Sequence, residues 1–242
     1  MCGRATVIRN GEITFERFGF TEKTNSYDLF QPRYNLCPRQ DIPVVHVDPD
    51  SGKTTLRPMH WNLVPAKLVS ADEVRRFDRE YSTFNARVEG AAEAPTFRLP
   101  WRRQRALVIV DGIIEWVGEK GKKIPWRIRL PDGSPFAMAG LWDHWQARDD
   151  DPSAETRELW STTVLVGPAV PWFARFHHRM AHILPREIYE RWLDPDLTDP
   201  RQVAALLRHN PYPMETLVAE RISTAVNNPR YDLPDALTVV TE

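Results

Sequence analysis

The chain has 242 residues, of which 42% are hydrophobic and 27% charged, and its formal net charge is -1. That balance excludes a disordered acidic or basic tail, and it makes nucleic-acid binding a matter of a local patch rather than global charge. No apolar run approaches the roughly 20 residues of a membrane span, and two cysteines, Cys2 and Cys37, make no disulfide framework. The start, Met-Cys-Gly-Arg, lacks the apolar stretch of a signal peptide. The expectation is a soluble, cytoplasmic, monomeric protein, one domain over residues 1–242, with no cofactor, metal or membrane partner.

The chain carries 21 prolines, nine tryptophans and only 11 glycines. A proline load above the usual share of about 5%, placed between apolar runs, suits many short elements joined by stiff turns. In chain order, Pro43 to Val47 and Thr54 to Trp61 read as strands. Asp72 to Tyr81 reads as a helix, with Ser70 and Asp72 as possible caps. Ala106 to Val117 is β-branched and aromatic; a Gly-Glu-Lys-Gly-Lys turn and Pro125 to Leu130 follow, which predicts a hairpin. After the Asp132-Gly133 turn, Pro135 to Trp142 is a third strand, Arg148 to Arg157 a charged loop, and Thr162 to Val166 a further strand. Pro185 to Leu193 and a segment opened by Asp199-Pro200, with Val203, Leu206 and Leu207 on one stripe, read as helices. Thr216 to Ile222 is the last strand. The fold class is α+β, a curled, largely antiparallel sheet or barrel with peripheral helices, because closure removes strand edges.

Five features bear on chemistry. Cys2 follows the initiator, and a small second residue permits removal of Met1, leaving an amine and a thiol on adjacent carbons. An α-amine titrates at about 7.7–8.0, so on the order of a tenth is neutral at pH 7, against roughly a hundredfold less for a lysine. Such an aminothiol condenses with an aldehyde and closes to a thiazolidine; position alone favours an incidental cysteine. Glu115 shares a strand face with Ile113 and Val117, so its carboxyl is either desolvated, with a raised pKa, or at a solvated edge. His178 and His182 stand four apart, a metal spacing, but no further ligands accompany them; one histidine acting as acid or base is the better reading, beside histidines that merely line a core. Asn85 and Arg87 point the same way on an extended segment, a polar donor beside an anion fork. Phe97 to Arg105 and Arg75-Arg76 set arginines beside aromatics, which suits single-stranded nucleic acid or a plain solvated face.

In this order the segments resemble the SOS-response-associated peptidase (SRAP) family. The matching residues are Cys2-Gly3-Arg4, Arg33-Tyr34-Asn35 with Pro38, Trp61 with Pro65, and Asn85-Ala86-Arg87-Val88-Glu89. Asp111-Gly112 with Glu115-Trp116, Phe136 to Leu141, His177 with Arg179-Met180, and Ser223 with Val226-Asn227-Asn228-Pro229 complete the set. The resemblance implies a shield for abasic sites in single-stranded DNA, nucleoid-associated when bound, which forms a stable thiazolidine with the C1′ aldehyde of the opened sugar. It implies that Cys2 is the nucleophile once Met1 is gone, by autocatalytic peptidase action or by an aminopeptidase, with Schiff-base chemistry of the DNA lyase type. Asn85 would position the amine, Glu115 would shuttle protons, and His177 would act on the deoxyribose ring oxygen. Arg4 and Arg87 would hold the flanking phosphates, with Pro38 and Trp61 also contacting DNA. The chain departs from the family pattern at Ala66-Lys67-Leu68, where a stacking tryptophan is usual, and at Ala181 and His182, so that His182 competes with His177 for the proton role. The rival readings are a cysteine hydrolase pairing Cys2 or Cys37 with a histidine, and a non-covalent reader of damaged or modified DNA.

Overall fold

The computed structural model describes residues 3–9, 12–24, 31–119, 121–148, 151, 155 and 157–240. Met1, Cys2, Lys120 of the predicted hairpin turn and most of the charged loop at Arg148 to Arg157 lie outside these. The chain opens with β1 (Ala5–Val7), α1 (Phe15–Phe18) and β2 (Glu22–Lys23), then β3 (Arg33–Leu36), β4 (Asp41–Val47) and β5 (Thr54–Trp61). Next come α2 (Ala71–Glu80), β6 (Asn85–Arg87), α3 (Val88–Ala91) and α4 (Arg98–Arg103). The middle holds β7 (Arg105–Val110), β8 (Gly112–Val117), β9 (Ile124–Arg129), β10 (Phe136–Gln146) and β11 (Glu158–Pro168). The last part contains α5 (Pro171–Ala174), β12 (Arg179–Ala181), α6 (Tyr189–Leu193), α7 (Pro200–His209) and β13 (Val218–Arg221).

A ring of strands forms the centre. Along β11, β10, β7, β4 and β5 every neighbouring pair is antiparallel, and the parallel pairing of β5 with β11, His60 against Ser161, closes the circle. Closure leaves the ring without a free edge. The expected barrel with peripheral helices is therefore what forms, in the expected α+β class. A second sheet, in the order β13, β9, β8, β1, β3, lies against it. Fully buried Val44, Leu107, Val108, Met138, Leu141 and Val164 belong to one core cluster that also takes in Ala5, Ile113 and Ile128 of the second sheet.

The predicted single strand from Ala106 to Val117 is two strands. Asp111 breaks it, β7 staying in the ring and β8 crossing to the second sheet, where it forms the expected hairpin with β9. Helix α2 starts where the caps indicated: the Ser70 hydroxyl accepts from Glu73 N–H at 3.3 Å. Asp199 caps α7 in the same way, accepting from Arg201 N–H at 2.8 Å, and Val203 and Leu207 face the core. The predicted helix over Pro185 to Leu193 is a 3-10 turn at Arg186–Ile188 running into α6. Helix α4 forms within the Phe97 to Arg105 stretch, which the sequence marked for its arginines and aromatics but not as a helix.

Candidate active site

The second sheet holds the N-terminal strand by a buried carboxylate. Asp111 accepts from the Thr6 hydroxyl at 2.5 Å, from Arg9 N–H at 2.9 Å and from Ile8 N–H, and Arg127 Nη2 donates to it at 3.1 Å. Gly112 is required beside it, since a Cβ there would stand 2.6 Å from Thr6 Oγ1 and 2.7 Å from Arg127 Nε. This clamp sets the register of β1 on β8: Ala5 lies opposite Ile113, and Ile114 N–H donates to Arg4 O at 3.0 Å. The same antiparallel register, carried back along the chain, places Gly3 against Glu115. Cys2, the residue joined to Gly3, lies outside the described residues.

Glu115 is 4% exposed, so of the two sequence readings the desolvated one is correct. Burial pushes its carboxyl up to about 7, against a smaller opposing pull from Lys123. Its cross-strand neighbour on β9 is Trp126, whose ring centre is 5.8 Å from that of Phe176. Phe176 adjoins His177, so the contact brings the loop between α5 and β12 to the same end of the sheet as Glu115. The charge of Lys123 reaches His177 as well as Glu115. His177 is half-buried, and burial first, then His178 and Lys123, lowers its pKa, which keeps the imidazole neutral at pH 7. Its Nδ1 lies 2.9 Å from Arg179 N and 3.1 Å from Arg179 O, so the Arg179 backbone holds the ring and leaves Nε2 as the outer nitrogen.

Asn85 and Arg87 lie on β6, which pairs in parallel with β11, Asn85 opposite Val164 and Arg87 opposite Val166. β12 pairs with the adjoining stretch of β11, Ala181 opposite Val166 and Arg179 opposite Pro168. One strand thus carries the Asn85-Arg87 segment and the strand that follows His177. Arg87 is exposed, while Arg179 is held by both oxygens of Glu89 at 2.7 and 2.8 Å. No group of three metal-ligating side chains occurs among the described residues.

Other candidates have different surroundings. Arg4 donates through Nη1 to Asn35 Oδ1 at 2.6 Å and to Val226 O at 2.8 Å, and lies over the Trp116 ring at 5.2 Å. It is anchored between the N-terminal strand and the C-terminal segment. Pro38 is half-buried in the turn between β3 and β4, beside Arg39, whose φ of 68° is left-handed. Trp61 does not fit the expected contact with DNA. It is fully buried, donates Nε1–H to Phe84 O at 3.0 Å and packs edge-on against Phe84, so it supports Asn85 from inside. His182 faces a separate cavity of about 680 Å³ with Trp101 and Leu207, and its Nε2 sits where a Cβ on Gly167 would be 2.5 Å away.

The sequence reading assigned no role to Asn35, yet it is central to the site's architecture. It is fully buried, and its Nδ2 donates to Val226 O at 3.2 Å, Asn228 O at 3.0 Å and Tyr231 O at 2.8 Å. Asp232 accepts from the backbone N–H groups of Tyr34 and Asn35 at 2.6 and 2.8 Å. The signal available was a polar residue inside a strand, in a segment already matched for its pattern.

Comparison with known proteins gives a consistent answer. Abasic site processing protein YoqW of Bacillus subtilis is 30% identical over 98% of this chain and 99% of its own, and YobE from the same organism is 31% identical over 95% and 97%. HMCES of Xenopus tropicalis, also named an abasic site processing protein, is 27% identical over 88% of this chain and 68% of its own. A solved protein from Bacteroides thetaiotaomicron, 22% identical, superposes over the full length of both chains with a TM-score of 0.81, a likeness of fold. The family model described as SOS response associated peptidase (SRAP) matches residues 1–229, and this chain belongs to that family.

Proposed function

We propose that this protein processes abasic sites in DNA, and that it does so by covalent capture through Cys2. The coarser part of the reading is supported by full-length relatives named abasic site processing proteins. The finer part is supported chiefly by one observation: Glu115, buried and pushed up to about 7, lies on the strand to which the residues just after Cys2 are hydrogen-bonded. A carboxyl that titrates near neutral pH can both give and take a proton at the amine.

Removal of Met1 by hydrolysis of its peptide bond exposes the Cys2 amine. In its neutral form the amine attacks C1′ of the ring-opened sugar, and the N–C bond forms as the carbonyl oxygen takes up a proton. Loss of water from that adduct gives the imine, with Glu115 supplying the proton that lets hydroxide leave as water. The thiol then adds across the C=N bond; sulfur bonds to C1′ and the thiol proton ends on nitrogen, which closes the thiazolidine. His177, its pKa lowered by burial, takes the Nε2–H tautomer in this reading and supplies the hydrogen-bond donor for the deoxyribose ring oxygen as the ring opens. Asn85 orients the amine, and Arg87, exposed beside it, holds a flanking phosphate of the single strand.

Cys37 does not suit a hydrolase nucleophile. Burial pushes its thiol pKa up, and its Sγ donates to Asn35 O at 3.3 Å, so little thiolate is present at neutral pH. Intact mass before and after incubation with an abasic oligonucleotide tests the proposal. The expected result is loss of one methionine and gain of one oligonucleotide less water, with no adduct from Cys2→Ala or from a chain extended by one residue before Cys2. A stable adduct from either variant overturns it.

A further inference from the structure

Five exposed arginines lie on two helices that are distant in sequence and packed together, α4 and α7. Arg98, Arg102 and Arg103 are exposed on α4, and Arg201 and Arg208 are exposed on α7. Trp101, buried between the helices, donates Nε1–H to Pro200 O at 3.3 Å and joins them. None of the five makes an ion pair among the described residues. Of the nearby carboxylates, Glu89 is held by Arg179, Asp194 by Arg191, and Asp199 caps α7, while exposed Glu93 also lines the cavity and offsets part of the positive charge there. Basic residues in a last helical turn can serve the helix's own carbonyls. On α4 that role is already filled, because buried Arg105 donates to Trp101 O at 3.0 Å and Arg102 O at 2.6 Å. Arg98, Arg102 and Arg103 are therefore cations for which the fold has no internal use.

The patch is continuous with the candidate site. Glu89, which holds Arg179 two residues after His177, also lines the cavity on whose rim Arg201 and Arg208 stand. Arg87 precedes it on β6. With Arg179 neutralised by Glu89, the cations along this side are Arg87 at the candidate site, Arg201 and Arg208 at the cavity rim, and the arginines of α4.

We propose that the α4–α7 face binds the phosphodiester backbone of the single strand where it runs away from the lesion. The proposal deepens the DNA reading above and rests on it. The aromatic part of the motif takes no part, since Trp101 is 1% exposed and offers no ring to a base. Binding is accordingly electrostatic, independent of sequence and sensitive to salt.

The test uses equilibrium binding, over a range of salt, of strands bearing a tetrahydrofuran abasic analogue, which has no aldehyde to trap. One strand has roughly 7 nucleotides and the other roughly 25, to fall short of and to span the patch. The wild type is expected to bind the longer strand more tightly. Arg98→Gln/Arg102→Gln/Arg103→Gln is expected to lose most of that gain and to lower the salt slope by about 2, at roughly 0.7 per phosphate contact. Arg201→Gln/Arg208→Gln should lower it by about 1, and neither should change the rate of crosslinking to a true abasic site in the short strand. Retention of wild-type slope and long-strand affinity by both variants overturns the proposal, as does an equal loss on short and long strands in variants that melt like the wild type. Failure of the wild type to crosslink the short strand sinks the capture reading instead, while the salt slopes still judge the patch.

Discussion

Glu115 is where the cost and the use of burial meet. A carboxyl raised from 4.5 to about 7 on folding resists ionisation in the native state. The fold is therefore penalised as pH climbs from the unfolded value through the folded one, and the penalty is full above it. Glu115→Gln keeps the shape and removes the charge, so it should match the wild type near pH 4 and exceed it at pH 8 by up to about 3 kcal/mol. Chemical denaturation at the two pH values reads the difference; equal gains at both would show that the site does not titrate in this range. The same substitution should slow adduct formation at least about a hundredfold and remove the limb of the pH-rate profile near 7. The limb that belongs to the Cys2 amine, at about 7.7–8.0, should remain. A variant that is more stable and less active is what a functional carboxyl in a desolvated position predicts.

At the scale of elements, the strand β1 depends on the Asp111-Gly112 pair. Gly112→Ala would press a methyl into Thr6 Oγ1 and Arg127, and the strand must shift to admit it. The expected cost is about 1–3 kcal/mol of stability, with slower adduct formation, because the displaced strand carries Gly3 and Arg4 to Glu115. Wild-type melting and rate in this variant would disprove the clamp. Individual elements were legible where local chemistry is decisive. The Ser70 and Asp199 caps mark the starts of α2 and α7, and Thr54 to Trp61 is a strand with the bounds its side chains indicated. Legibility ended where tertiary contacts override local pattern. Ala106 to Val117 looks uniform in sequence, and only the pull of Thr6, Ile8, Arg9 and Arg127 on Asp111 divides it between sheets. The apolar neighbours of Glu115 raised burial as one of two readings, and nothing local told Trp61, a core residue, from a stacking platform. Likewise Phe97 to Arg105 showed charge and aromatics without showing that Arg105 and Trp101 turn inward.

For the whole molecule, the question is what holds the two ends of the chain to one site. The ring of β11, β10, β7, β4 and β5 is closed within the middle of the chain, and the first and last described strands, β1 and β13, belong to the second sheet. β1 reaches the site through the second sheet, and the C-terminal segment meets it through Asn35 on β3. Asn35 accepts from Arg4 and donates to three carbonyls between Val226 and Tyr231, so a single amide joins residues 4, 35 and 226–231. Asn35→Ala would leave Tyr231 O without its donor and one face of the Arg4 guanidinium without its acceptor, at about 1–3 kcal/mol for each group left without a partner, while Val226 O keeps Arg4 and Asn228 O keeps Tyr231 N–H. The ring should persist, since its hydrogen bonds do not pass through Asn35. Hydrogen exchange is then expected to quicken at residues 4–7 and 226–231 while β7, β10 and β11 stay protected, and adduct formation should slow in parallel with the exchange at residues 4–7. Uniform loss of protection would mean that the ring and the ends unfold as one unit, and that the active site is no more separable from the barrel than the core is.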